Sequence, residues 1–313
     1  MRPYPSSFFI QLSNMYCTPT LGPPEYFPAA LLFGAISGTI ATPFGQGRGV
    51  ERVILAIDIG NSSTTIGLFG EHGGLRFRSD LTTRKGATRD QCAVNLLDVF
   101  RLYGADIGEV TGTIIASVVP PLTAALCGAV EMLTGRAPLL MGPGVKTGLN
   151  IKADIHAQMG ADIVACSVAA IAKYPGPILI VDMGTATTMS LIMGNTYEGC
   201  VILPGVQLSL EALSDRAAEL PHISISPPAS ILGHNTVDAM RSGVVYGNAS
   251  MVDGMIARLE AASQPAATVV GTGQAAPDIL KYCQRSIVYD ADLLLCGLYL
   301  IYQKNTEGKQ RKA

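Results

Sequence analysis

VILAIDIGNSSTTIGLFG, residues Val53 to Gly70, reads as a buried strand, a short polar turn, and a second strand that starts near Thr64 and ends at Gly70. A matching stretch, ILIVDMGTATTMSLIMG, runs from Ile178 to Gly194. The two align without gaps at a spacing of 124 residues, setting Asp58 against Asp182, Gly60 against Gly184 and Thr64 against Thr188. The chain therefore carries an internal duplication. In each copy an apolar strand delivers an aspartate to its carboxyl end. Glycine and small hydroxyl residues follow, and their backbone N–H groups can approach phosphate oxygens. A single Asp-x-Gly more often does no more than satisfy the amides of a turn. Two copies in register favour a phosphate-bearing ligand such as ATP.

Working outward, the rest of the pattern fits two similar α/β halves. GLRFRSDL suggests a third strand, residues 88–103 a helix, GTIIASVV a strand, and PPLTAALCGAVEML a helix with proline in its first turn. In the second half, strands near 197–203, 267–271 and 286–288 alternate with helical stretches near 205–218, 235–261, 275–283 and 291–303. No long linker separates the halves, so the crossover is expected at the helix after Gly160. This divides the chain into residues 51–160 and 161–305, facing each other across a cleft, with a polar tail over 306–313.

Composition narrows the function. At 313 residues and 48% hydrophobic content, the chain is long enough for two packed domains. The 22 Lys and Arg against 24 Asp and Glu leave a formal charge of −2, with no electrostatic footprint for nucleic acid or anionic lipid, so a small-molecule partner is expected. Seven scattered cysteines without a Cys-x-x-Cys pair read as a reduced, cytoplasmic protein. Residues 1–50 differ from the rest: they are proline-rich and nearly devoid of acid, with an apolar run from Ala29 to Ala41. That run falls short of the about 20 residues needed to span a bilayer and lies far from a basic amino terminus. The segment reads as a disordered or misannotated extension.

Other chemistries find no motif. His72, His156, His222 and His234 lack metal-ligand spacing. Ser117, Ser190 and Ser242 lack a nucleophile elbow. GQGRG (Gly45–Gly49) and GTGQ (Gly271–Gln274) match neither the dinucleotide-binding nor the P-loop order.

DIGNSSTT, SVVPPLT, GPGVKTGL, GADIVACSVAA, DMGTATT, PGVQLSLEAL and NTVDAMRSGVVYG resemble, in order and spacing, the signature segments of type III pantothenate kinases, over residues 53–303. The resemblance implies a duplicated ribonuclease-H-like fold of the actin-like ATPase kind. It also implies ATP-dependent phosphorylation of pantothenate, the first step toward coenzyme A, by a homodimer that needs Mg²⁺ and a monovalent cation (K⁺ or NH₄⁺). Carried over by position, Asp58, Ile59, Gly60, Asn61, Ser62, Ser63, Thr64 and Thr65 would hold the ATP phosphates, with Asp58 on Mg²⁺ directly or through water. Thr185 would touch ATP from the second loop and Asp182 would serve the monovalent cation. Gly160, Ala161, Asp162 and Ile163 fall on the pantothenate-binding motif, Thr236 on a second substrate contact, and Asp162 on the proton acceptor. Read without the resemblance, Asp162 precedes an apolar helical run, where a carboxylate usually caps the helix.

The sequence departs from the family pattern in several places. Ile163 stands where Arg is usual, and an isobutyl group cannot make the charge-assisted pair that a guanidinium offers a carboxylate. ADIHAQM replaces a segment with Tyr and Pro, GTGQ replaces a TGG-type loop, and Cys200 replaces a Gly. A kinase for another small hydroxylated acceptor and an ATP-binding pseudokinase or regulatory paralogue stay open beside the pantothenate reading.

Overall fold

The computed structural model describes residues 52–152 and 159–310, with side chains as far as Thr306. The readings of residues 1–50 and of His156 fall outside the described residues. Two sheets carry the duplication. The first is ordered β3-β2-β1-β4-β5, from β1 (Val53–Ile59), β2 (Ser63–Phe69), β3 (Leu75–Thr82), β4 (Val110–Ser117) and β5 (Leu139–Leu140). The second repeats that order as β9-β8-β7-β10-β11, from β7 (Ile178–Met183), β8 (Ala186–Met193), β9 (Thr196–Pro204), β10 (Thr268–Thr272) and β11 (Val288–Tyr289). A short β6 (Asn150–Ile151) is added beside β9. In each sheet the first three strands are antiparallel and the remaining two of the repeat run parallel. This is the duplicated ribonuclease-H-like architecture of actin-like ATPases.

The helices begin where local chemistry places them. Thr88 and Gln91 form a reciprocal capping box at the start of α1 (Arg89–Leu102), and prolines open α2 (Pro120–Thr134). These elements, α3 (Ala161–Lys173), α4 (Val206–Arg216) and α5 (Thr236–Ala262) lie close to the expected stretches. The expected helix at 275–283 is only the single turn of α6 (Ala276–Ile279) followed by a 3₁₀ turn. In contrast, α7 (Leu293–Gln310) continues into the stretch expected to be a polar tail. The two-residue strands β5 and β6 are too short to show any alternation in sequence.

Strand alternation decides what each face meets. Leu55, Ile57 and Ile59 of β1 pack with α1 and α2, whereas Ile54 and Ala56 turn to the opposite face. In β7, Leu179, Val181 and Met183 pack toward α5 and α6, whereas Ile178 and Ile180 turn inward. The two inner faces share one core, filled by Val164, Ala165 and Ala169 of α3 and by Leu295, Leu298 and Ile301 of α7. Five layers result: helices, sheet, the α3–α7 pair, sheet, helices.

The two hairpins differ by one residue in pairing. Asp58 pairs with Thr65, but Asp182 pairs with Thr188, one aligned position earlier. The ungapped sequence match therefore does not carry through the turn, and Thr64 and Thr188 face different surroundings.

The contact between α3 and α7 has no slack. A β-carbon at Gly297 would lie 1.9 Å from the Ala165 carbonyl oxygen, whereas one at Gly247 on α5 would meet nothing within 4 Å. Gly297→Ala should therefore destabilise the protein by about 1–3 kcal/mol through overpacking. Gly247→Ala should be neutral or stabilise by up to about 1 kcal/mol, from helix propensity alone. Thermal or urea denaturation of both variants measures this; equal effects would refute the close crossing.

Candidate active site

Because Asp58 and Asp182 continue the even-numbered, inward-facing set of β1 and β7, both carboxylates emerge where the sheets' inner faces open to solvent. They line one cleft of about 330 Å³, together with Gly60, Asn61, Ser63, Thr65, Gly184, Thr185, Ala186 and Thr188 from the hairpins. The tips of the two turns touch. Ser62 Oγ and Thr185 Oγ1 are 3.0 Å apart, a hydrogen bond across the duplication.

Asp162 joins them from the first turn of α3, so three aspartates line the same space. Its Oδ1 accepts the Ile163 N–H at 2.9 Å and lies 2.1 Å from where a β-carbon on Gly160 would stand, so a side chain at 160 would displace the carboxylate. The N-cap of α3 is Gly160, so Asp162 is not the capping residue; it sits in the first turn and lines the cleft. Burial raises the Asp58 carboxyl to about 7, and the Asp162 and Asp182 charges add to the effect. Asp182 is likewise raised to about 7 by burial and by Asp162. Such a cleft disfavours three free anions and favours a cation beside them.

Among the described residues, no group of three or more His, Cys, Asp or Glu side chains could hold a metal ion. The carboxylates instead suit an ion whose remaining ligands are phosphate oxygens and water, the usual manner of Mg²⁺. The turn geometry, the small side chains and the carboxylates all fit a nucleotide carrying Mg²⁺.

Not every residue singled out in the sequence faces this cleft. Ile59 is fully buried among the α1–α2 core. Thr64 is buried and bonds Thr83 Oγ1 at 3.0 Å, while Thr83 in turn donates to the Gly60 carbonyl. Both alternate away from the cleft, so any contact from them to a ligand there is limited to backbone. Ile163 packs on the inter-sheet core, as Ala161 does. Thr236 lines a different groove, with Leu210, Leu213, Gly233 and Met240 between α4 and α5. Sequence reading passed over Arg78, which also lines the cleft, and noted GTGQ only as a departure from the family pattern, although its Gly273 and Gln274 line the cleft too. Arg78 had a signal, since alternation in RFRSD places it opposite Phe77. Gly273, at φ +93°, brings its backbone against the Asp182 carboxylate, which only the fold reveals.

The raised carboxylates predict a pH dependence in metal-free buffer. Between about pH 4 and 7, Asp58 and Asp182 stay protonated in the folded chain but ionise in the unfolded one. Their contribution is thus fully present below pH 4, is lost as pH rises toward 7, and changes no further above. Asp58→Asn and Asp182→Asn should each flatten this slope in denaturation at pH 5 and pH 8. A slope unchanged in both variants would contradict the raised values.

Three comparisons bear on this geometry. A family model described as type III pantothenate kinase matches residues 54–258. The type III pantothenate kinase of Halalkalibacterium halodurans is 40% identical over 254 residues, 81% of this chain and 100% of that protein. That of Bacillus cytotoxicus is 39% identical over 254 residues, 81% of this chain and 97% of that protein. Among solved structures, the activator of the 2-hydroxyisocaproyl-CoA dehydratase from Clostridium difficile, with bound ADPNP, superposes with a TM-score of 0.50 at 12% identity. It covers 83% of this chain and 98% of the activator, a likeness of fold alone. With two duplicated turns meeting over three aspartates, and with relatives matched over nearly their whole length, this chain belongs to the type III pantothenate kinase family.

Proposed function

We propose that this chain transfers a phosphoryl group from ATP to the primary hydroxyl of pantothenate, giving 4′-phosphopantothenate in the first step of coenzyme A biosynthesis. The observation that carries this is the Ser62–Thr185 contact, which closes two phosphate-type turns over Asp58, Asp162 and Asp182 in one cleft. Phosphoryl transfer asks a protein mainly for positioning and charge neutralisation, and this arrangement offers both.

Bound ATP with Mg²⁺ supplies the phosphoryl group and the charge that draws electron density from it. The turns at 60–63 and 184–186 hold the phosphates, with Asp58 fixing the divalent ion directly or through water. Asp182, against which the Gly273 backbone is set, suits a monovalent cation. Asp162 takes the proton as the acceptor oxygen attacks, and it is the carboxylate of the three at a helix start rather than at a strand end. Gly160 leaves room for the Asp162 carboxylate on the acceptor side, and Ala161, packed on the core, contributes there through its backbone alone. The packing of Ile163 into the core leaves the acceptor's carboxylate to other groups, which keeps another hydroxylated acceptor as the second reading.

Thr236 lines a groove apart from the cleft, so a substrate contact from it requires the groove and a cleft to meet between two copies of the chain. The surface around that groove exposes Leu208, Leu213, Ile231 and Leu232, an apolar area suited to a second copy and hence to a homodimer. A cytoplasmic setting accords with six unpaired thiols among the described residues. No described helix is long and apolar enough to cross a membrane.

Asp162→Asn should lower turnover of ATP with pantothenate by about 10²-fold or more, with nucleotide affinity and melting temperature close to wild type. Asparagine can still accept the Ile163 N–H, so a purely helix-terminal Asp162 would tolerate the change. Full turnover in the stable variant would leave the mechanism without its base. Wild-type protein that binds ATP but phosphorylates no hydroxylated acid would instead favour the non-enzymatic alternative.

A further inference from the structure

Arg78 of β3 has a planar guanidinium divided between the two halves of the molecule. Its Nε and Nη2 donate to Asp80 Oδ2 and Oδ1 at 3.1 and 3.3 Å. Its Nη1 donates to the Ala291 carbonyl and lies 3.5 Å from Asp292 Oδ1, just ahead of α7. On the first-half side, Asp80 Oδ1 also accepts Thr65 Oγ1 at 2.6 Å, which ties the fork to the first turn's returning strand. The Arg78 backbone is itself held, since Tyr103 donates to its carbonyl at 2.8 Å.

On the other side, the 290–292 turn is a junction. Asp292 N donates to Asp290 Oδ1, and Asp290 Oδ2 accepts Lys173 Nζ and Tyr174 OH, each at 2.8 Å, at the carboxyl end of α3, whose first turn carries Asp162. Asp290 N bonds the Gly271 carbonyl, next to Thr272 and Gly273 beside Asp182.

We propose that Arg78 is a positioning residue for phosphoryl transfer: by bridging Asp80 to the Ala291–Asp292 turn it fixes the first turn relative to the elements that carry Asp162 and Asp182. The halves are already joined through the shared α3–α7 core and at the loop tips by Ser62 and Thr185; the Arg78 fork adds a polar tie at the cleft itself, between the returning strand of the first turn and the start of α7. The pairing is part-exposed, with side-chain accessibilities of 27% for Arg78 and 39% for each aspartate, so it contributes little to stability. Its geometric role needs the guanidinium fork, because the compact ammonium of lysine cannot span both partners in one plane. With both carboxylates already on it, Arg78 is engaged as a bridge and not as a free anion receptor.

This inference rests on the kinase reading, and the experiment separates the two. Arg78→Lys should melt like wild type but lose on the order of 10- to 100-fold in kcat/KM for ATP, the scale of a small misplacement of reacting groups. Asp292→Asn should lose less, and the double variant should be no worse than Arg78→Lys alone, because both changes cut one bridge. Additive losses, or Arg78→Lys within twofold of wild type, would overturn the proposal. Should Arg78→Lys fail to fold, Asp292→Asn paired with Asp80→Asn carries the same cycle. If wild type turns over no acceptor, the kinase reading fails, and the bridge is then judged by amide exchange at 60–62 and 184–186. Faster exchange in Arg78→Lys, with α1 and α2 unchanged, supports the bridge; equal exchange refutes it.

Discussion

Helices α3 and α7 cross so closely that the Ala165 carbonyl of one occupies the space a side chain would take at Gly297 of the other. Both sheets lay their inner faces on this pair, so its thickness sets how far apart the sheets stand. The spacing of the two aspartate-bearing turns follows from it. A thicker helix pair would separate Ser62 from Thr185, and the cleft would open into two independent hairpin ends. Close packing of an apolar interior thereby becomes a constraint on polar geometry some distance away.

The polar geometry has its own logic. Asp58 and Asp182 ride on strands that are buried on both faces, and they reach solvent only through the cleft. Ionising them there is unfavourable while the cleft holds no cation, which is why both carboxyls are raised. A phosphate-bound cation entering the cleft reverses that preference and should displace protons as it binds. Asp162 is placed differently: it sits in the first turn of a helix, where its carboxylate accepts the Ile163 N–H. In the proposed mechanism the two carboxylates that serve cations stand at strand ends and the one that takes the proton stands at a helix start.

Much of this was legible in the chain itself. The duplication, the aspartate at each strand end, most of the long elements and the start of α3 depend on local patterns: strand alternation, proline and capping chemistry, and a repeat read without gaps. What escaped depended on contacts distant in sequence. Ile59 and Thr64 sit in a motif that binds as a unit in the sequence reading, yet alternation turns their side chains into the core and toward Thr83. The one-residue shift between the hairpins left no trace in the alignment because it lies in how the strands pair rather than in what they contain.

The amino-acid sequence by itself determined that two similar halves would each present an aspartate and a small polar turn, because those features follow from residues adjacent in the chain. Only the tertiary structure decided that the turns meet at Ser62 and Thr185, that Thr236 opens on another groove, and that Arg78 reaches Asp292 some 214 residues away. The physical reason is that such pairings are set by the packing of α3 and α7 between the sheets. That packing is a property of the assembled core, and no short stretch of the chain contains it.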